Sequence, residues 1–428
     1  SDQLLGSQND MATIRLGKYV GDNALAAVGS AGPIMNLLLV LFIGISMGAS
    51  IMVAQYFGAK QREDLSYTIG NCILLTVISS IFIMFLALVV VRPLLELLQT
   101  PYTIIDWCTS YLKIMFLGIA GCAFYNILSG VLRGLGDAFS ALVYLLVSTV
   151  INIILDLLFV AKFGMGVNGV ALATVIAQAV SAILCLIRLS KMKDLFDLNR
   201  KYLKWNGKYG KNIIRLGVPS GLTQAIFSMA MIIVQSLTNS FGEMFIAANV
   251  IVMRVDGFAM LPNFSFGTAM TTYSGQNIGA AKNDRVTKGA KQGTLIAVLT
   301  TTFITSLILI FGRQLMGIFT ATTELVDLSR RMMGIIAAGY IAMAVTQSLS
   351  GVMRGAGDTM TPMWISLFTT IVVRVPVAYG IAHFTKSATF PNGRQECVFI
   401  SLLCSWLIGA IMTTIFYLRG KWKNKALR

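Results

Sequence analysis

Residues Leu128-Ser129-Gly130-Val131-Leu132-Arg133-Gly134-Leu135-Gly136-Asp137 return as Leu349-Ser350-Gly351-Val352-Met353-Arg354-Gly355-Ala356-Gly357-Asp358, identical at eight of ten positions and 221 residues further along. The same offset, with no gap, pairs Gln55, Gly58 and Ala59 with Gln276, Gly279 and Ala280. It also pairs Gly21, Ala26 and Ala27 with Gly242, Ala247 and Ala248. Matches at three separated places and one spacing mark an internal duplication. In a chain of 428 residues each copy takes about half, so one fold is expected twice.

Working outward from the repeated decapeptide, the flanking sequence is too apolar for water. Hydrophobic residues make up 56% of the chain and charged ones 12%, with a mean hydropathy of +0.75. A soluble domain carries about 25% charged residues, and a disordered chain far less apolar mass. Runs free of charge cover 33–57, 65–91, 114–132, 167–187, 216–242, 257–281, 292–312, 332–353 and 398–418. Two more, 138–161 and 359–385, are equally apolar but hold Asp156 and Arg374. Each is long enough to cross about 30 Å of hydrocarbon as a helix, which satisfies its own backbone hydrogen bonds.

The stretch 1–20 is shorter and interrupted by Asp2, Asp10 and Arg15. It lacks the n-region and cleavage site of a signal peptide. The seventh span begins near Lys211, whose offset partner would precede Ser1 by about ten residues, so 1–20 reads as a first span shortened at its start. The expected fold is an all-α integral membrane protein of twelve transmembrane helices in two pseudo-symmetric six-helix lobes. An even number of spans per copy gives the lobes one orientation, related by an axis along the membrane normal. The lobes are placed at 1–190 and 212–428. The basic stretch 191–211 is the linker, read partly as an amphipathic surface helix.

The net charge of +16 raises nucleic acid as a partner, but the distribution argues otherwise. If the loop after Phe57 is cytoplasmic, the loops on that side and the C-terminus hold 22 of the 34 Lys and Arg, against nine on the other side. That is the positive-inside bias, and it predicts both termini in the cytoplasm of a multi-pass protein of the cell inner (plasma) membrane. Six cysteines are scattered with no C-x-x-C pair, and His383 is the only histidine. The cysteines read as small buried apolar residues, with no metal cage, disulfide frame or catalytic triad.

An ionisable residue inside hydrocarbon is expensive and therefore a functional candidate. Asp156 is the only acid in 138–161, and Asn152 precedes it by four residues on the same helix face. Together their oxygens suit a hard cation such as Na⁺, while the carboxylate alone suits a proton. The alternative is a structural aspartate bonded to neighbouring helices. Asp10 is the natural partner of Asp156 in the same lobe. Asp256, two residues after Arg254, is a candidate for coupling, substrate binding or a local pair. Arg374 has the offset partner Ile153, so the second lobe sets a cation near the level at which the first has Asn152 and Asp156. The 22 methionines read mostly as core filler, but Met229, Met231, Met253 and Met260 cluster in the second lobe, where flexible thioethers facing a cavity suit varied apolar ligands. The repeated Arg-Gly-x-Gly-Asp segments resemble phosphate loops only superficially, since no strand precedes them. Their glycines are expected to turn the chain, and Asp137 and Asp358 to cap the following helices.

The doubled L-S-G-V-x-R-G-x-G-D, the stretch from Gly21 to Val28, the matched helix ends around Gln55 and Gln276, and Asn152-x-x-x-Asp156 resemble the multidrug and toxic compound extrusion (MATE) family. The resemblance spans essentially the whole chain. It implies export of cationic, amphipathic drugs driven by inward Na⁺ or H⁺, with no cofactor. In prokaryotic relatives it implies a cation site in the first lobe, whose helix-five Asn and Asp match Asn152 and Asp156 and whose helix-six threonine corresponds to Thr174. The family's helix-one aspartate aligns with Ala12, two residues after Asp10, which rotates the helix by about 200° and marks a departure.

The reading is therefore a secondary antiporter working by alternating access and not an enzyme. Cation binding is expected at Asp156, Asn152, Asp10 and Thr174, and substrate or coupling roles at Asp256, Arg374, Met231 and Met260. No metal is expected beyond Na⁺ at Asp156 and Asn152. The expected partners are small-molecule drugs and the lipid bilayer, for a monomer that binds no nucleic acid. The alternative is a lipid-linked or polysaccharide flippase of the same superfamily, which favours more spans and a strongly cationic groove.

Overall fold

The computed structural model describes residues 22–97 and 100–427, and these residues form helices, turns and loops with no strand. The expected span 1–20, with Asp10, lies outside the described residues. The chain divides into two compact units, Ser1–Gly221 and Leu222–Arg428. The first holds α1 (Asp22–Gly58), α2 (Arg62–Leu97), α3 (Ile105–Leu117), α4 (Ile119–Gly134), α5 (Ala138–Asp156), α6 (Val167–Ser190) and the first part of α7 (Gly207–Asn239). The second holds the rest of α7, then α8 (Glu243–Gly279), α9 (Asn283–Ile310), α10 (Gly312–Gly317), α11 (Thr323–Ile336), α12 (Gly339–Gly355), α13 (Met360–Leu367), α14 (Val375–Phe384) and α15 (Cys397–Arg419).

Nine helices are long and apolar enough to cross a membrane, and the bent pairs α3–α4 (52°) and α11–α12 (45°) raise the number to eleven among the described residues. These are the eleven runs expected from composition. Both bends fall at a glycine of the repeat, since Gly118 and Gly339 are 221 residues apart. A Cβ on Gly118 would lie 2.1 Å from the Val175 side chain, and one on Gly339 would lie 2.5 Å from the Trp406 ring. Only a bare backbone lets α6 and α15 press so close at the break.

The repeated decapeptide divides its work. Gly130 and Gly134 face α1, where added Cβ atoms would lie 2.5 Å from the Ser46 hydroxyl and 2.7 Å from the Ser50 carbonyl. Gly351 and Gly355 face α8, where the same atoms would lie 2.3 Å from the Gly267 carbonyl and 2.2 Å from that of Thr271. Small residues four apart bring helix backbones into contact, the packing that membrane helices use where burial from water does not drive association. Hydroxyls cross each seam, from Ser46 to the Asn126 carbonyl (2.7 Å) and from Ser274 to the Val352 carbonyl (2.7 Å). The third glycine makes the turn: Gly136 and Gly357 have φ of 88° and 103°, where a side chain would be strained.

The aspartates then cap, as expected. The Ser140 amide donates to Asp137 (3.3 Å), and the Thr361 amide and hydroxyl donate to Asp358 (3.1 and 2.7 Å). Asp137 also pairs with Arg188 of α6 at 2.8 Å. Burial pushes the Asp137 carboxyl up, but the Arg188 guanidinium and the Ser140 groups outweigh it and hold it below 3.8.

The outer faces are apolar. Ile78, Phe82, Phe85 and Val89 of α2 form an exposed stripe at helical spacing, as do Ile296, Leu299, Phe303 and Ile310 of α9. In water such patches would drive association, whereas in lipid they are the solvent-facing surface.

The linker departs from expectation. Residues 191–206 form turns, not an amphipathic helix, because the start of α2 satisfies their backbone. Arg62 donates to the carbonyls of Lys193 and Asp194 (2.6 and 2.8 Å) and pairs with Asp197 (2.8 Å). The Asp197 and Asn206 amides donate to Ser66 and Asn71. Gly70 lets the Tyr202 carbonyl come within 2.0 Å of where a Cβ would be, and Tyr67 stacks on Tyr209. After α15 a similar device recurs. Trp422 is buried with Met270, Ile278, Val286 and Met353, stacks on Tyr417, and donates its indole N–H to the Tyr417 carbonyl (2.9 Å).

Candidate coupling and substrate sites

In the first unit one face of α5 carries Ser148, Asn152 and Asp156 at four-residue intervals, and all three are buried, Asp156 to 1% exposure. The face lies against α6, to which Ser148 donates a hydrogen bond at the Ala177 carbonyl (3.0 Å). Thr174 of α6 is buried too, and its hydroxyl donates to the Val170 carbonyl (2.9 Å), leaving the hydroxyl oxygen's lone pairs for a cation or donor. The Asn152 amide oxygen is buried with no hydrogen-bond partner. Tyr111 of α3 stands within electrostatic reach of Asp156. A carboxylate, an amide oxygen and two hydroxylated residues thus occupy adjoining helices in an otherwise apolar region. All are hard oxygen donors suited to Na⁺, and the carboxylate is suited to a proton.

Immediately after Asp156 the winding changes, since Leu157–Lys162 is a π-helical segment with Phe163 N–H bonded to the Leu158 carbonyl (3.0 Å). The second unit repeats the device at another level. Its π segment, Phe368–Arg374, ends on Arg374. In both units the wider winding thus adjoins the intramembrane charge, and such segments occur often at functional positions.

The second unit assembles a different set. Asp256 of α8 is hydrogen-bonded by the Tyr340 hydroxyl and feels the Arg374 guanidinium. Tyr340 is fully buried, and its hydroxyl also lies 3.4 Å from the Met333 sulfur. A phenol has one proton, and a carboxylate outcompetes a thioether for it. One carboxyl oxygen of Asp256 and the Nε of Arg374 are buried with no hydrogen-bond partner. Asn263 fixes the bend above this group, donating to the Tyr340 carbonyl (3.2 Å) and accepting from Thr301 (2.8 Å).

Asn152, Asp156 and Thr174 therefore lie in one unit on adjoining helices, and Asp256 and Arg374 share a site in the other. Met260 is buried in the core and Met253 packs partly buried on it, whereas Met229 and Met231 are exposed, and Met231 lines a surface hollow with Gln235 and Asn239. Tyr111 and Tyr340 went unnoticed in the sequence, because tyrosines in apolar spans carry no periodic or charge signal. Among the described residues no group of three or more His, Cys, Asp or Glu could hold a metal ion.

The MatE family model matches residues 9–158 and 219–380, once in each half of the chain. The chain is 31% identical over 378 residues to the probable multidrug resistance protein YoeA of Bacillus subtilis, covering 87% of this chain and 82% of that one. It is 25% identical over 426 residues to the probable multidrug resistance protein NorM of Thermotoga maritima, covering 97% and 89%. A crystal structure described as MATE in the bent conformation superimposes with a TM-score of 0.91 at 22% identity, over 97% of this chain and 91% of that one. An outward-facing multidrug resistance MATE family transporter superimposes with a TM-score of 0.89.

Proposed function

Because the chain belongs to the MatE family, whose members are transporters and not enzymes, we propose that it is a multidrug efflux antiporter of the cell inner membrane. It exports cationic or amphipathic small molecules in exchange for Na⁺ or H⁺ by alternating access, as a monomer with lobes 1–190 and 212–428. Both termini lie in the cytoplasm, on the strength of the Lys and Arg bias. The multidrug resistance names of YoeA and NorM support the cargo class.

The observation that carries the coupling is the buried Asp156 on one helix face with Asn152, whose amide oxygen has no hydrogen-bond partner. A coupling ion supplies what that oxygen lacks. Thr174 and Tyr111 complete the set, and Asp10 is a further ligand from the first span. Occupation neutralises Asp156 inside a low-dielectric lobe, which changes the cost of the conformations open to each side. Asp256, Tyr340 and Arg374 form a secondary group on the cargo path.

The test is Asp156→Asn, which keeps size and removes charge and titration. Efflux from whole cells is measured with a pH gradient and a Na⁺ gradient imposed separately. The variant should fold and still bind drug, and its efflux should answer neither gradient. Wild-type rates under either gradient would move the coupling to Asp256.

A further inference from the structure

The duplication supplies its own control for Arg133 and Arg354, the arginines of the two decapeptides. In the first unit Arg133 reaches the Ser46 hydroxyl (3.4 Å) and the Ser129 hydroxyl (3.5 Å). In the second, the position equivalent to Ser46 is Gly267, and its carbonyl lies so close to Gly351 that no side chain fits between the helices. Arg354 has therefore lost its partner on α8. Its Nε is buried with no hydrogen-bond partner, the side chain as a whole is part-exposed, and no ion pair among the described residues includes it. A guanidinium carries five donors and a permanent charge, and here the buried Nε goes unanswered while the charge has no ion-pair partner, which is costly.

Helix order places the site. The turns α8–α9 and α12–α13 and the end of α15 lie at one end of the unit, so Arg354 shares that end with Lys282, Arg285, Lys288, Lys291, Arg419 and Lys421. The acids there are Asp284 and Asp358, and Asp358 is occupied with Thr361. Such a rim raises the local concentration of anions.

We propose that Arg354 is an anion-binding site, taking a phosphate-type oxyanion. Water answers the N–H donors but leaves the charge, whereas a phosphate oxygen pair matches the planar guanidinium fork and cancels it. The same group arrives either as the headgroup of an anionic phospholipid or as free phosphate.

Thermal unfolding of the purified full-length protein in detergent, in phosphate-free buffer, tests this. Inorganic phosphate, phosphatidylglycerol and phosphatidylcholine are titrated separately. The unmutated protein should show a saturable rise in Tm, on the order of 2 °C or more, with phosphatidylglycerol, and with inorganic phosphate as well if free phosphate fits. Phosphatidylcholine should give no such rise. Arg354→Met should lose the response and be no less stable than the unmutated protein without anion, since it removes an uncompensated charge. Lys386→Met, at the opposite end, should keep the response. A non-saturating rise in the unmutated protein, an equal response to phosphatidylcholine, or a full response in Arg354→Met overturns the proposal. The titration of the unmutated protein decides the matter even if Arg354→Met fails to fold.

Discussion

Replacing Asp137 separates a cap from an ion pair. Its carboxylate accepts from the Ser140 amide and pairs with Arg188, whose side chain is 42% exposed against 18% for Asp137. Asp137→Ala removes both. A lost N-cap costs about 1 kcal/mol, and an ion pair with a partner this exposed adds about 0.5 kcal/mol. The total of about 1.5 kcal/mol corresponds to a Tm lower by roughly 3–6 °C for a unit of this size. Asparagine caps about as well as aspartate, so Asp137→Asn should lose only the pair, roughly 1–2 °C. Asp358 makes the same cap without an arginine, so Asp358→Asn should be nearly neutral and Asp358→Ala should cost about 1 kcal/mol. The pH dependence follows from the depressed carboxyl. A group lowered in the folded state stabilises above its unfolded value and stops doing so as pH falls through the folded one. The difference between Asp137 and Asp137→Ala should therefore be constant near neutrality and shrink only below about pH 4. Thermal-shift measurements across pH, with drug efflux on the same variants, check this. Equal losses for Asp137→Asn and Asp137→Ala, or turnover lost at unchanged Tm, would refute the capping account.

Gly351→Ala should cost about 3 kcal/mol or abolish expression, because its Cβ would lie 2.3 Å from a backbone oxygen on α8. Gly380→Ala, with open space around the added atom, should instead stabilise α14 by about 0.5 kcal/mol, read by the same thermal assay. Trp422→Ala should lower stability by about 3 kcal/mol through the emptied pocket. Arg62→Ala frees the linker, so limited trypsin digestion should cut faster at Lys193, Arg200 and Lys201, and unchanged cleavage would show that Tyr202 and Asn206 hold it alone. Cysteines placed at Lys282 and Lys421 should label from the same side of the membrane, and labelling from opposite sides would overturn the topology.

Much of the fold was legible because hydrocarbon imposes a simple rule on sequence, a long run without charge. The duplication made it more so, since each feature could be checked against its offset partner, and the capping roles of Asp137 and Asp358 followed from residue type and position alone. What escaped notice depends on facing and not on content. Tyr340 reaches Asp256, and Tyr111 comes within electrostatic reach of Asp156, from bent helix pairs, and neither bend angle nor rotation is written in hydropathy. The linker looked like a surface helix by charge, yet α2 offers Arg62, Ser66 and Asn71 as backbone partners, and those contacts are longer in range than any local pattern.

The glycine seams have a mechanical consequence. Where α1 meets α4 and α8 meets α12, backbone rests on backbone, with no layer of side chains between them that could change rotamer and absorb displacement. Such a pair behaves as a stiff beam. After α5, and between α13 and α14, a π segment instead interrupts the regular ladder beside the intramembrane charge. Close glycine seams and an interrupted ladder thus recur in both units, and in the first the interruption begins directly after Asp156.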